Sequence, residues 1–292
     1  MQGTGNREQG TVYDPSTLIP LPPQSLNPSS KKVSTLNVLM LGDVVSQIGC
    51  DFLRQKLPGY KRFAGVDLCV CNAENSAKGN GVTPQSAEFL LSSGVDCLTT
   101  GNHAFRRREC YDFFDENPFI VRPCNYPAGA PGRGVCVIDL GRVRVGVVNL
   151  MGTMFLEPLG NPFDAAEEAL RALSDCRVVL VDFHAEATSE KKAMGFFLDG
   201  RVSAVCGTHT HVQTSDETVL PGGTGYITDL GMCGAVDSVL GVQKEIVIEK
   251  FRTALPARFD TAEAGPCALE GCLFDIDETT GRCRSAQRLR LT

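Results

Sequence analysis

Five short apolar runs in this chain each end on a side chain able to bind a metal, and that repetition constrains the fold more than any other feature. Val38-Leu39-Met40-Leu41-Gly42 ends in Asp43, Leu68-Cys69-Val70-Cys71-Asn72-Ala73 in Glu74-Asn75, and Cys97-Leu98-Thr99-Thr100-Gly101 in Asn102-His103. Val178-Val179-Leu180-Val181-Asp182-Phe183 ends in His184, and Ala204-Val205-Cys206-Gly207-Thr208 in His209-Thr210-His211. Apolar runs this short, broken by Gly or a charge, read as buried strands. In open α/β sheets, ligand sites form just beyond the carboxyl ends of the strands, so five strands deliver metal-competent groups to one edge.

Between the runs lie amphipathic stretches. The pattern predicts strands at 37–41, 66–71, 95–99, 178–182 and 202–206, and helices at 48–57, 84–92, 106–114, 162–173 and 189–197. That alternation is the mark of a sheet flanked by helices. Two hairpins are also predicted, 134–139 with 142–149 around Leu140-Gly141, and 269–276 with 282–289 around Glu278-Thr279-Thr280-Gly281. Parallel and antiparallel pairing together point to two mixed sheets packed on each other with helices outside. Residues 1–35 are rich in Gly, Pro, Ser, Thr, Asn and Gln without periodicity, and are expected to be a disordered tail before one domain at 36–292.

The formal charge is −6 with no Lys/Arg block, so no long nucleic acid is expected as a partner, whereas a single nucleotide remains compatible. No apolar run is long enough to span a bilayer, so no membrane partner is expected. Residues 1–30 lack the apolar core of a signal peptide. The thirteen cysteines are odd in number, and Cys69, Cys71, Cys97 and Cys206 lie inside apolar runs. They read as small core residues of a reducing cytoplasm. Cys267, Cys272 and Cys283 lack a CxxC pair, and no structural zinc is expected there.

The histidines sharpen the case. One histidine after a strand is more often structural than a ligand, but all four in the chain fall in these segments, beside Asp43, Glu74, Asn75 and Asn102. His209 and His211 are two apart, and an extended backbone points both imidazoles to one side. Imidazole, carboxylate and amide oxygen together suit Mn, Fe, Co, Ni or Zn, whereas Mg or Ca prefers more carboxylates. Seven candidate ligands, Asp43, Glu74, Asn75, Asn102, His184, His209 and His211, are too many for one tetrahedral ion and suit two ions sharing a carboxylate. Two divalent ions, two carboxylates and one hydroxide leave about one positive charge, the complement of a phosphodiester monoanion. A metallo-β-lactamase-like hydrolase also uses His-x-His but needs Asp-His soon after, where Val212-Gln213 stands. Nor is Gly42-Asp43-Val44-Val45-Ser46 a dinucleotide-binding GxGxxG motif.

These motifs resemble the calcineurin-like metallophosphoesterases, and more closely the bacterial YmdB-like branch, over residues 36–291. The longest matching stretches are Asp182-Phe183-His184-Ala185-Glu186-Ala187-Thr188-Ser189-Glu190-Lys191 and Gly207-Thr208-His209-Thr210-His211-Val212-Gln213-Thr214. The resemblance implies an α/β fold, a four-layer αββα sandwich of two mixed sheets flanked by helices. It also implies a dinuclear site often occupied by iron or manganese, and phosphodiesterase activity on cyclic nucleotides, 2′,3′-cyclic AMP being the usual one. Carried over residue by residue, Asp43, Glu74, Asn75 and His211 would hold one ion. Glu74 would bridge to the second, completed by Asn102, His184 and His209. The broader superfamily has Asp-x-His at its first motif, where this chain has Val45, and an Asp bridge where it has Glu74; Asn75 stands in for the missing imidazole. After His103 come Ala104-Phe105-Arg106, where relatives tend to carry Trp and an acid, and the first loop reads Ser46-Gln47-Ile48-Gly49-Cys50. Family members commonly self-associate, so a homo-oligomer is expected.

His103 is the expected general acid, close to the leaving group through its neighbour Asn102 without binding metal itself. Asp182 and Glu186 are expected to orient His184, Arg201 to be a surface residue, and Asp229 to be structural. Two alternatives stay open on the same residues. One is a phosphomonoesterase or nucleotidase, and the other a regulatory protein that senses metal or nucleotide with little turnover.

Overall fold

Side chains alternate faces along a strand, and in this chain both faces of most strands are apolar, so each sheet must be covered on both sides. A computed structural model describes residues 34–292, which form one compact unit. The expectation for the first 35 residues falls outside them, except at Ser34 and Thr35.

Strands β1 (Thr35–Val45), β2 (Leu68–Asn75), β3 (Cys97–Thr99), β10 (Met232–Ala235), β11 (Cys267–Asp277) and β12 (Cys283–Leu291) make one sheet, in the order β12-β11-β10-β1-β2-β3. Strands β4 (Val135–Asp139), β5 (Arg144–Met151), β6 (Val178–His184), β7 (Ala204–Thr208), β8 (Thr218–Val219) and β9 (Gly225–Ile227) make the other, in the order β4-β5-β6-β7-β9-β8. β1, β2 and β3 run parallel, as do β5, β6, β7 and β9. The predicted hairpins are present as antiparallel β4–β5 and β11–β12.

Leu36, Val38 and Met40 of β1 and Leu68 and Val70 of β2 meet Val145, Val147, Leu180 and Cys206 of the second sheet in one core between the sheets. The intervening residues Leu39, Leu41, Cys69 and Cys71 face outward. They pack on α1 (Ser46–Ala64), α2 (Pro84–Ser92) and Phe114 of α3 (Tyr111–Glu116). On the far side Val179, Val181 and Phe183 pack on α4 (Pro162–Ala172) and α5 (Thr188–Leu198). Helix, sheet, sheet and helix thus form the four-layer αββα sandwich.

α2 occupies the predicted residues because its boundaries are written locally. Thr83 and Ser86 form a reciprocal capping box and Pro84 takes the first helical turn. The predicted 48–57 helix is longer, running through Pro58 to Ala64 and ending on left-handed Gly65. A proline inside a helix costs about 3 kcal/mol. Burial of Leu53 and Leu57, with Tyr60 and Ala64 packed on the same core, offsets it. The predicted 106–114 helix is instead a 3-10 turn at Arg108–Cys110 followed by α3. Arg107 is drawn out of helical register, its guanidinium bonding the carbonyls of Lys78 and Asn80. Strand β10 and helix α6 (Lys244–Thr253) have no counterpart among the predicted elements. All thirteen cysteines are free, and all but Cys124 and Cys176 are buried. Among the described residues, no helix is long and apolar enough to cross a membrane.

Candidate metal centre

The carboxyl ends of the parallel strands from both sheets meet at one place. β1 runs past Asp43 to Val45 with two register shifts against β2, one on each side of Asp43. β2 ends in Glu74-Asn75 and β6 in His184, so these candidate ligands belong to the strands themselves. Asn102 and His103 follow β3, and His209 and His211 follow β7. The expected extended geometry of the last pair is not what the fold uses. β7 stops at Thr208, and His209 and His211 adopt positive φ, 100° and 63°. Such backbone is strained for a side-chain-bearing residue and persists only where surrounding contacts impose it.

Four lone-pair atoms converge at the first position. His184 Nε2 lies 3.0 Å from Asn102 Oδ1, 3.2 Å from Glu74 Oε1 and 3.1 Å from His209 Nδ1. The ligand atoms of Glu74, His184 and His209 all lie within 4.8 Å of one another. Each outer nitrogen has an acceptor of its own. Thr208 donates its hydroxyl proton to Asp182 Oδ1 at 2.7 Å, so its oxygen accepts His184 Nδ1–H at 2.9 Å. His209 Nε2 lies 3.0 Å from Glu186 Oε2, which fixes its proton on that side. Both imidazoles thereby have an acceptor for the outer nitrogen and turn the inner nitrogen toward the other donors, the arrangement that metal-binding histidines require.

Glu74 Oε1 borders the second position too. Around it stand Asn75, whose Nδ2 is 3.3 Å away, and His211, whose Nε2 is 3.3 Å from Asn75 Nδ2 and 3.5 Å from Asp43 Oδ1. His211 Nδ1–H donates to the Leu240 carbonyl at 3.0 Å, which turns Nε2 toward Asp43 and Asn75. Asp43 Oδ2 accepts the His209 amide at 3.1 Å. Asp43 Oδ1 is buried and, among the described residues, has no hydrogen-bond partner. A buried carboxylate oxygen without a donor is costly in a protein interior, but it is what a cation ligand looks like. The donor set therefore fits divalent ions. Asn75 turns its Oδ1 to His103 Nδ1 at 2.9 Å, so an oxygen ligand from Asn75 needs the amide turned over. His103 also donates its backbone N–H to Glu74 Oε2 at 2.9 Å.

The electrostatics agree. Burial pushes Asp43 and Glu74 upward, yet the imidazoles of His211 and His184 hold both below the ordinary carboxylate range. Burial pushes His184 down, but Glu74, Asp43 and Asp182 outweigh it and raise the imidazole to about 9. Burial and the His184 charge depress His209. Burial opposes the charged form of His211 as well, but Asp43 raises it. Two buried carboxylates at the centre thus draw positive charge into this space.

All eight sequence-predicted residues come together here, His103 included. Glu186 orients His209 where His184 was expected, and Asp182 reaches His184 indirectly, through Thr208 and the Asn72 amide. Thr208, silent in the sequence because threonine is ordinary in strands, is one bonded link. Arg201 pairs with Glu167 at 2.7 Å on the surface. Beneath the His209–His211 turn, Asp229 Oδ2 accepts the backbone and hydroxyl protons of Thr210 at 3.2 and 2.7 Å. The same oxygen takes Lys191 Nζ at 2.7 Å, and both side chains are almost fully buried, at 2% and 1% exposure. Asp229→Asn leaves the Lys191 charge buried and unneutralised, which is expected to cost about 3–5 kcal/mol of folding stability. Urea unfolding checks this, with Lys191→Met added to Asp229→Asn expected to recover most of the loss. An unchanged midpoint in the single variant would remove the pair as the support of this turn.

The site opens into a cleft of about 1150 Å³, walled on one side by Glu74, Asn75 and His103 and on the other by the segment 240–263. Residues 39–289 match the family described as YmdB-like protein. A 2′,3′-cyclic-nucleotide 2′-phosphodiesterase of Bacillus subtilis (strain 168) is 43% identical over 255 residues, covering 87% of this chain and 96% of that protein. A phosphatase of Mycoplasma pneumoniae superposes with a TM-score of 0.84 at 33% identity, over 89% of this chain and 94% of its own. A protein of Thermus thermophilus superposes at 0.81 with 38% identity, over 88% of this chain and 99% of its own.

Proposed function

The chain belongs to the YmdB-like protein family, and from that premise we propose that it is a phosphodiesterase of 2′,3′-cyclic nucleotides, 2′,3′-cyclic AMP foremost, working with two transition-metal ions, iron or manganese. The observation that carries this reading is the convergence of imidazole nitrogens and carboxylate oxygens on both sides of Glu74 Oε1. Asp43, Glu74, Asn75 and His211 would hold one ion, and Glu74, Asn102, His184 and His209 the other. Divalent ions in these positions supply Lewis acidity toward phosphoryl oxygens and bring the pKa of a water toward neutrality.

The remaining steps belong to the chain's own residues. Glu186, Leu240 and the Thr208–Asp182 pair keep the imidazole protons on the outer nitrogens, so that the inner ones stay ligands. The two carboxylates lower the net charge of the loaded site, which favours a singly charged diester over a doubly charged monoester. With its amide turned over to offer Oδ1 as a ligand, Asn75 would present Nδ2–H to His103 Nδ1, which keeps the imidazole proton on Nε2, the atom that passes it to the departing ribose oxygen.

Protein purified without chelators is expected to carry two transition-metal ions per chain and to hydrolyse 2′,3′-cyclic AMP and bis-p-nitrophenyl phosphate faster than p-nitrophenyl phosphate. Bound metal without turnover of any ester would instead identify a ligand-sensing protein. His103→Ala is expected to slow the cyclic nucleotide by roughly 10²- to 10⁴-fold with metal content unchanged. The loss on bis-p-nitrophenyl phosphate should be much smaller, because its leaving group departs without a proton. Equal losses on the two esters would exclude His103 as the acid.

A further inference from the structure

The cleft is far larger than a phosphodiester group needs, since pockets of roughly 300–1,000 Å³ already take drug-sized ligands. Whatever lines the space beyond the donors meets the rest of the substrate. On the His103 wall the obvious aromatic is Phe105, but it is turned away. Its ring packs edge-on against Tyr111 and Tyr126 at 5.5 and 5.1 Å and against Phe114 at 5.5 Å. Among the described residues that line the cleft, Phe259 carries the only phenyl ring, and it is 42% exposed.

We propose that Phe259 is the platform on which the nucleobase of the substrate stacks; this rests on the reading of the cleft as a cyclic-nucleotide site. The ring stands on irregular backbone after α6, yet its neighbours are pinned. Gln243 N–H donates to the Asp260 carbonyl at 3.0 Å and Ala262 N–H to the Gly241 carbonyl at 2.9 Å. The Thr261 hydroxyl is hydrogen-bonded at 3.1 Å to Ser46, which directly follows the strand that carries Asp43. The platform and the metal ligand are therefore referenced to the same strand end. Lys250 Nζ lies 4.4 Å from the ring centroid over one face, so the base would take the opposite one. A base laid on that face is held by its π surface, which all four bases share. The platform thus favours nucleotides over base-free esters without choosing strongly among bases.

The experiment compares kcat/KM for 2′,3′-cyclic AMP with that for methyl ribofuranoside 2′,3′-cyclic phosphate, which lacks the base. The wild type is expected to prefer the nucleotide by roughly ten- to hundredfold. Phe259→Ala is expected to remove most of that preference through KM, and Phe259→Trp to keep it. Misfolding of a fraction of the variant lowers both rates alike and leaves the ratio untouched. A wild type without preference, or a ratio unmoved in Phe259→Ala, overturns the proposal. If neither ester is turned over, the diesterase reading fails separately. The platform is then judged by equilibrium binding of AMP against ribose 5-phosphate, where the same ratio in wild type and variant refutes it and a ratio lowered in Phe259→Ala supports it.

Discussion

Glu74→Ala is expected to strip metal from both positions at once and to lower diester turnover by about 10³-fold or more. The reason is that one carboxylate oxygen serves two donor groups. Glu74 Oε1 is 3.2 Å from His184 Nε2 on one side and 3.3 Å from the Asn75 amide on the other. Lewis-acid stabilisation is worth several kcal/mol, and each 1.36 kcal/mol is about tenfold in rate. His211→Ala is the contrasting variant. It removes a ligand from one position only and is expected to leave one ion bound beside His184 and His209. Metal analysis of the two purified variants, with kcat on 2′,3′-cyclic AMP, checks the contrast. Two ions retained by Glu74→Ala would show that the carboxylate is not shared.

Gly101→Ala adds a single carbon and is expected to cost about 10²-fold in turnover, because that carbon has nowhere to go. A Cβ at Gly101 would fall 2.2 Å from His184 Cδ2 and 2.4 Å from its Nε2. The imidazole cannot swing aside, being fully buried and held at Nδ1 by Thr208. Either the ring or the strand end must shift. Overpacking of this kind costs about 1–3 kcal/mol of stability. An ångström of misplacement at a reacting centre costs on the order of 10²-fold in rate. Gly59→Ala, where nothing lies within 4 Å of the added carbon, is the control and is expected to be neutral or slightly stabilising. Thermal unfolding and metal content of both variants test the claim. A fully loaded, fully active Gly101→Ala would mean that the His184 pocket has slack the geometry does not show.

Much of the fold was legible because its signals are local. α2 carries its own capping box, α4 starts with Asn161 accepting the Phe163 amide, and both hairpins announce their turns. Helix α6 was not legible because its apolar residues do not mark a buried face. Only Val247 is buried, while Ile248 and Phe251 are 51% and 80% exposed. β10 is four residues containing a glycine, too short for any pattern to register. The helix expected at 48–57 continues past Pro58 to Ala64 because the packing that overrides the proline comes from residues distant in the chain.

The sequence by itself determined which groups stand at the strand ends. Asp43, Glu74, Asn75, Asn102, His103, His184, His209 and His211 each follow or close a run whose apolar pattern commits it to a buried strand. Parallel strands of one sheet end on one edge, which groups Asp43, Glu74, Asn75, Asn102 and His103 on one sheet and His184, His209 and His211 on the other; the packing of the two sheets joins the groups. What only the tertiary structure decided is how each group is presented. The proton on each imidazole is placed by Thr208, Glu186 or the Leu240 carbonyl, and the left-handed turn at His209 and His211 by Asp229 above buried Lys191. The open face of the cleft is given its aromatic surface by Phe259. Among these partners, Glu186 to His209, Leu240 to His211 and Lys191 to Asp229 lie 23 to 38 residues apart, and Thr261 reaches Ser46 across 215. Hydrogen bonds and close contacts act over about 3 Å of space, so periodicity along the chain carries no record of them until the layers have packed.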